Sequence, residues 1–405
     1  SQAGLCLWDS SGRLWPFHAM ALAARRKTLL AALRQCDEDS DLLHPGPPTA
    51  RPIERLEAAV FGGEVVQWEK INLTPSSDQG FNLLSAQPLK AGAKPAVLLM
   101  HPTGKCKEFM ANHLERLANK GFLALAFDAP WHGERALPEA GLSDLSLKAL
   151  GPSLLRELPT REEERLKVYF DALVRGWRSG SDRFVMDIAR DALTVVDYLC
   201  SRPDVRHDRL GASGVSLGGM ACWLLAAADE RIYSAMPAIG VQSFSHSLVN
   251  DLWGARVDSI RPAFEAAAAD MKKVSIDREV VAAVWARIAP GIAEADPSNS
   301  CAFDAPVTLP WIAPRHLLVL NGEEDPRCPL EGVRRSLEAT RKAYEQLGHP
   351  ERLQTFIEKG VKHVMTETMW LKIDSFLEAT LGHGSQTSGS KLYSEPCDVP
   401  AVHVS

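Results

Sequence analysis

Gly214-Val215-Ser216-Leu217-Gly218-Gly219 decides how this chain reads, because its glycines flank a serine where an apolar strand turns into a helix. In a G-x-S-x-G turn the serine occupies a sharp bend. The residues two positions to either side must be small for the strand and helix backbones to pass closely. Upstream, Arg209 to Val215 is a short run of mainly small residues, the kind buried on both faces in a parallel sheet. Downstream, Met220 to Ala228 has high helix propensity and is apolar nearly all round. Ser216 is therefore the candidate nucleophile, set against a blander reading in which it only caps the helix.

Outward from this turn, strand and helix alternate. Pro95 to Met100, Phe122 to Phe127, His316 to Leu320 and Arg352 to Ile357 read as strands. Tyr233 to Ala238 is a weaker strand candidate because of Pro237. Glu64 to Leu73 and Phe81 to Leu89 form a hairpin across a polar turn. Glu108 to Lys120 and Ser181 to Ser201 have helical character. This order predicts an α/β fold, a mainly parallel central sheet with helices on both faces. Two stretches are too long for ordinary loops, 134–180 and 242–310, and both leave strands at their carboxyl ends, where ligands bind in such sheets. They are expected to be helical lid insertions. The division predicted is a helical N-terminal extension over 1–63, a main domain over 64–381 and a flexible tail over 382–405. Ala19 to Arg34 is amphipathic and is read as a surface helix, with an organelle transit segment as the alternative.

The chain has 405 residues, enough for a substantial core. A formal charge of −6 with interspersed signs offers no basic field for nucleic acid or anionic membrane, and favours a small-molecule partner. The eight cysteines are scattered, with no C-x-x-C pair and no histidine cluster at metal-ligand spacing, so reduced thiols and no structural zinc are expected. No apolar run approaches the roughly 20 residues that cross a bilayer. A cytoplasmic location is the expectation, with targeting by a removed leader as the alternative; the pattern is silent on oligomeric state.

A serine needs a base to take its proton and an acid to orient that base. After this kind of elbow the partners follow in the order Ser, Asp/Glu, His, at the ends of later strands. Behind His316 to Leu320 comes Asn321-Gly322-Glu323-Glu324-Asp325, which nominates Asp325 as the acid, with Glu323 and Glu324 as competitors. Behind Phe356-Ile357 comes Val361-Lys362-His363, which nominates His363 as the base over His349, His383 and His403. The oxyanion of a tetrahedral intermediate needs aimed donors. Leu217 N–H follows the nucleophile; in His101-Pro102-Thr103-Gly104-Lys105, Pro102 has no N–H, so Thr103 is the second candidate.

With these residues in place the chain resembles a serine hydrolase of the α/β-hydrolase superfamily, of the esterase and dienelactone-hydrolase-like kind, over roughly Glu64 to Leu381. One departure is Pro102, where family members often have glycine after the histidine matching His101. Asp128-Ala129-Pro130-Trp131-His132-Gly133-Glu134-Arg135 resembles the family's Asp-x-x-x-His-Gly loop, which implies a site-shaping role for His132 rather than a basic one. The function this implies is cleavage of a carboxylic ester through an acyl-enzyme, with no metal or organic cofactor required. Thioesterase, peptidase and acyltransferase chemistry would use the same residues. The alternative from another class is a noncatalytic or slow-turnover small-molecule receptor.

Overall fold

The computed structural model describes residues 16–59, 65–75, 80–136, 162–292 and 303–382. Strands β1 (Thr49–Ala59), β2 (Val65–Thr74) and β3 (Phe81–Pro88) form an antiparallel meander at one edge of the sheet. The remaining strands are β4 (Lys94–Met100), β5 (Leu123–Phe127), β6 (Val205–Val215), β7 (Ile232–Ala238), β8 (His316–Gly322) and β9 (Leu353–Glu358). They pair parallel to one another, with β5 joined antiparallel to β3, and the sheet order is β1-β2-β3-β5-β4-β6-β7-β8-β9. This is the α/β-hydrolase fold.

In chain order the helices are α1 (Pro16–Arg34), α2 (Ala111–Asn119), α3 (Glu162–Ser179), α4 (Phe184–Ser201), α5 (Leu217–Ala228), α6 (Phe244–Val249), α7 (Gly254–Asp258), α8 (Arg261–Asp270), α9 (Arg278–Ile288), α10 (Ala305–Thr308), α11 (Leu330–Gln346) and α12 (Glu367–Leu381). The two-residue alternation of the central strands explains the layering. Ala96, Leu98, Leu123 and Leu125 pack with α4 and α5 on one face, while Val97, Leu99, Ala124 and Ala126 pack with α2 and α12 on the other. Such strands, buried on both faces, are continuous apolar runs, as parallel strands must be.

The N-terminal segment differs from its helical expectation. Helix α1 docks on α4, with Leu29 and Leu33 buried and Arg34 paired to Asp197 at 2.8 Å, but residues from Thr49 onward form β1. Thr49–Ala59 has weak strand propensity and contains Pro52, and it is a strand because β2 offers it an open edge; the register shifts beside Pro52. Pro237 likewise sits within β7, opposite Gly214 near the strand's end.

Helices α3 and α6–α9, which lie in the stretches 134–180 and 242–310, pack together. Phe184, Phe244 and Phe264 all pack against the Trp285 ring, and Trp177 Nε1 donates to Asp270 at 3.0 Å. Parts of both expected insertions, 137–161 and 293–302, lie outside the described residues, as does 383–405 of the expected tail. Among the described residues Cys36, Cys106, Cys222 and Cys328 are free thiols. No helix among those residues is long and apolar enough to cross a membrane.

Candidate active site

Ser216 joins β6 to α5 with φ +54° and ψ −107°, a backbone region that a residue with a Cβ enters at a cost of about 1–3 kcal/mol. The flanking glycines make the bend feasible. A Cβ on Gly214 would lie 2.1 Å from Gly218 O, and one on Gly218 would lie 2.2 Å from Met100 O. The serine hydroxyl makes no capping bond to α5, so the capping alternative does not describe it. Its Oγ lies 2.8 Å from His363 Nε2.

His363 Nδ1 lies 2.7 Å from Asp325 Oδ2. A carboxylate only accepts, so Nδ1 carries the proton and Nε2 is left to accept from Ser216. Asp325 is itself oriented, because its Oδ1 accepts from Arg327 N at 2.8 Å and Cys328 N at 3.0 Å. The two loops are laced together through Glu323 N to Glu358 O and Glu324 N to Val361 O, each 2.9 Å. Asp325 is buried while Glu323 and Glu324 are exposed, which separates the three competing carboxylates. His349 is also placed elsewhere, beside Glu351. Burial lowers the pKa of His363 from its ordinary value, against the opposing pull of the Asp325 carboxylate.

The oxyanion candidates sit at the same sheet edge. Met100 pairs with Gly214, so the loop beginning at His101 starts level with the elbow. Leu217 opens α5, where the first N–H groups have no intrahelical acceptor. Thr103 lies in a turn closed by Lys105 N to Pro102 O, with Gly104 at φ +78°.

A second buried cluster supports that loop, and sequence reasoning missed its centre. Lys107 is fully buried and its ammonium contacts Asp128 at 2.8 Å, Glu108 at 2.8 Å and Glu134 at 3.2 Å. Burial alone would lower its pKa, but the three carboxylates hold it well above the ordinary lysine value. Asp128 also accepts from Lys107 N at 2.8 Å and Glu134 N at 3.1 Å, and Glu134 pairs further with Lys70 and Asn82. A Cβ on Gly133 would come within 2.2 Å of the Asp128 carboxyl group, so the Asp-to-Gly spacing of this loop is a packing requirement.

The two histidines here are held neutral. His101 donates from Nδ1 to Pro102 O at 2.9 Å and accepts from Ala129 N at Nε2, 3.0 Å, and burial lowers its pKa. His132 donates from Nδ1 to Pro130 O and packs on Tyr169 of α3, and burial pushes it down to about 3. These contacts fit a site-shaping His132.

Two groups bring metal-capable atoms together, Asp325 with Cys328 and His363, and Cys106 with Glu108 and Asp128. Neither fits a cation well. Burial pushes the Cys328 thiol up to about 12, and it already donates to Ile239 O. At the second group the Lys107 ammonium supplies the positive charge.

The sheet order and the elbow are those of the α/β-hydrolase fold. Residues 81–258 match the family model of the dienelactone hydrolase family. A curated protein of Bacillus subtilis (strain 168), YtaP, is 50% identical over 42 residues, a match that takes in 10% of this chain and only 14% of the relative. Among solved structures, the glucuronoyl esterase from Solibacter usitatus superposes with a TM-score of 0.56 at 17% identity, covering 93% of this chain and 97% of that one. Methylesterase BT1017 superposes with a TM-score of 0.54 at 16% identity; the match covers 89% of this chain and 63% of that one.

Proposed function

We propose that the protein hydrolyses a carboxylic ester through a covalent acyl-enzyme. The observation that carries this reading is the unbroken hydrogen-bond relay from Ser216 Oγ through His363 to Asp325, built on a strained, buried serine. His363 Nε2 takes the Ser216 proton as Oγ attacks the ester carbonyl, and Asp325 stabilises the resulting imidazolium. Leu217 N–H and Thr103 N–H hold the oxyanion. The imidazolium then protonates the leaving alcohol, and a water deprotonated by His363 releases the acid. The match to the dienelactone hydrolase family and the esterase folds supports ester substrates. The insertion helices act as a lid in this reading, supported by Tyr169 against His132 and by Arg256 of α7 against the acid loop.

A panel of p-nitrophenyl esters graded in acyl length tests the proposal. Turnover by the parent and its loss in a folded Ser216→Ala variant is the expected result. Turnover that survives Ser216→Ala, or a folded parent inert across the panel, contradicts it.

A further inference from the structure

We propose that Arg256 is a positioning residue for the catalytic acid, a clamp by which the second insertion holds the loop that orients Asp325; the inference rests on the hydrolase reading above. Arg256 is buried, and its Nη2 donates to Arg327 O at 3.1 Å and to Cys328 Sγ at 3.3 Å. The N–H groups of these same two residues donate to Asp325 Oδ1. One guanidinium thus grips one side of a short turn whose other side aims the carboxylate. Cys328 also ties the turn to the sheet, its thiol donating to Ile239 O at 3.3 Å.

The nearby carboxylates do not explain why Arg256 is there. Asp258 pairs with Arg261 at 2.5 Å and Asp251 with Arg278 at 2.7 Å, while Arg256 Nε has no hydrogen-bond partner. A buried cation held by a carbonyl and a thiol carries a desolvation cost that no ion pair among the described residues offsets. Its return is geometric, because a planar guanidinium with several donors in fixed directions can hold two acceptors of one turn at once.

The same charge faces the base. Asp325, Arg256 and Arg327 are the charged groups acting on His363, and the two arginines disfavour its protonated form. The other groups around the clamp are the Cys328 thiol and the Tyr169 phenol, with Asp258 acting on Arg327. Arg256 therefore contributes direction to the acid and, behind the larger effect of burial, a further push toward the neutral form of the base.

The test compares the parent with Arg256→Met and Arg256→Lys in the full chain, measuring kcat against pH and titrating His363 by NMR with ¹³C-labelled histidine. In Arg256→Met we expect kcat to fall about 10- to 100-fold, the scale of a slightly misplaced catalytic group. The His363 titration and the acid limb of kcat should both move to higher pH. Arg256→Lys should keep the parent's titration and still lose kcat. A Met variant with unchanged kcat and unchanged titration, altered only in melting temperature, overturns the proposal. Should the Met variant not fold, a parent-like kcat in Arg256→Lys overturns it instead. A parent without turnover would break the hydrolase reading, and the NMR titration would still decide whether Arg256 acts on His363.

Discussion

Two buried aspartates at strand ends, Asp128 after β5 and Asp325 after β8, are built alike and differ in what they face. Each accepts backbone N–H groups and holds one side chain. Asp128 holds Lys107, a permanent cation enclosed by three carboxylates. That network holds its charges in place, since the surrounding carboxylates keep Lys107 protonated despite its burial. Asp325 instead holds a neutral imidazole whose second nitrogen contacts a serine hydroxyl. A proton can move along this line and return. On the proposed mechanism the same side chain serves as a brace in one place and as part of a relay in the other, and the partner decides which.

Breaking the relay at its serine should have the largest effect. Ser216→Ala is expected to lower kcat on the order of 10⁴- to 10⁶-fold, measured with the ester panel, while circular dichroism stays that of the parent. Next comes the same aspartate-to-asparagine change made at both sites. Asp325→Asn offers an amide N–H to His363 Nδ1, favours the wrong tautomer, and should cost about 10⁴-fold in kcat with little change in stability. Asp128→Asn removes a counter-charge from Lys107, so urea unfolding should show a loss of about 3–5 kcal/mol. If Asp128→Asn were inactive yet as stable as the parent, the contrast between brace and relay would fail.

The smallest effects concern pH. On the proposed mechanism His363 acts in its neutral form, so kcat/KM should fall with an acid limb below histidine's ordinary 6.5 and stay level above it. Stability follows the histidines that folding desolvates. His132 is pushed down to about 3, and His113 and His316 to about 4, so between those values and about 6.5 the unfolded chain binds protons that the folded one refuses. Stability is therefore complete above about pH 6.5 and declines as pH falls, by about 1.4 kcal/mol per pH unit for each such histidine. Thermal melts between pH 7 and pH 5 check the sign; a melting temperature that rises on acidification would contradict it.

The hydrogen-bonded line from Ser216 through His363 to Asp325, on which the proposed relay rests, was readable in the sequence because its members are fixed by local rules. An elbow needs small residues around Ser216, and Asp325 and His363 stand directly behind apolar strands that announce themselves. The brace was not readable. Lys70, Lys107, Asp128 and Glu134 come from separate elements, and nothing in the run Lys105-Cys106-Lys107-Glu108 distinguishes the fully buried lysine from its neighbour. The Asp128-to-Gly133 spacing was visible as a motif, but its reason, a glycine pressed against a carboxyl group, exists only in three dimensions. Strand β1 escaped for a related cause, since pairing with β2 rather than its own propensity makes it a strand. Arg256 gave no signal at all, as its partners are a backbone carbonyl and a thiol more than 70 residues away.

The central claim, that Ser216 is activated by His363 and Asp325, is tested most directly by a fluorophosphonate probe with the adduct mapped by peptide mass spectrometry. The account predicts one adduct on the peptide containing Ser216, absent in Ser216→Ala and formed far more slowly in Asp325→Asn. An unlabelled parent, or labelling that persists unchanged in Ser216→Ala, would contradict it.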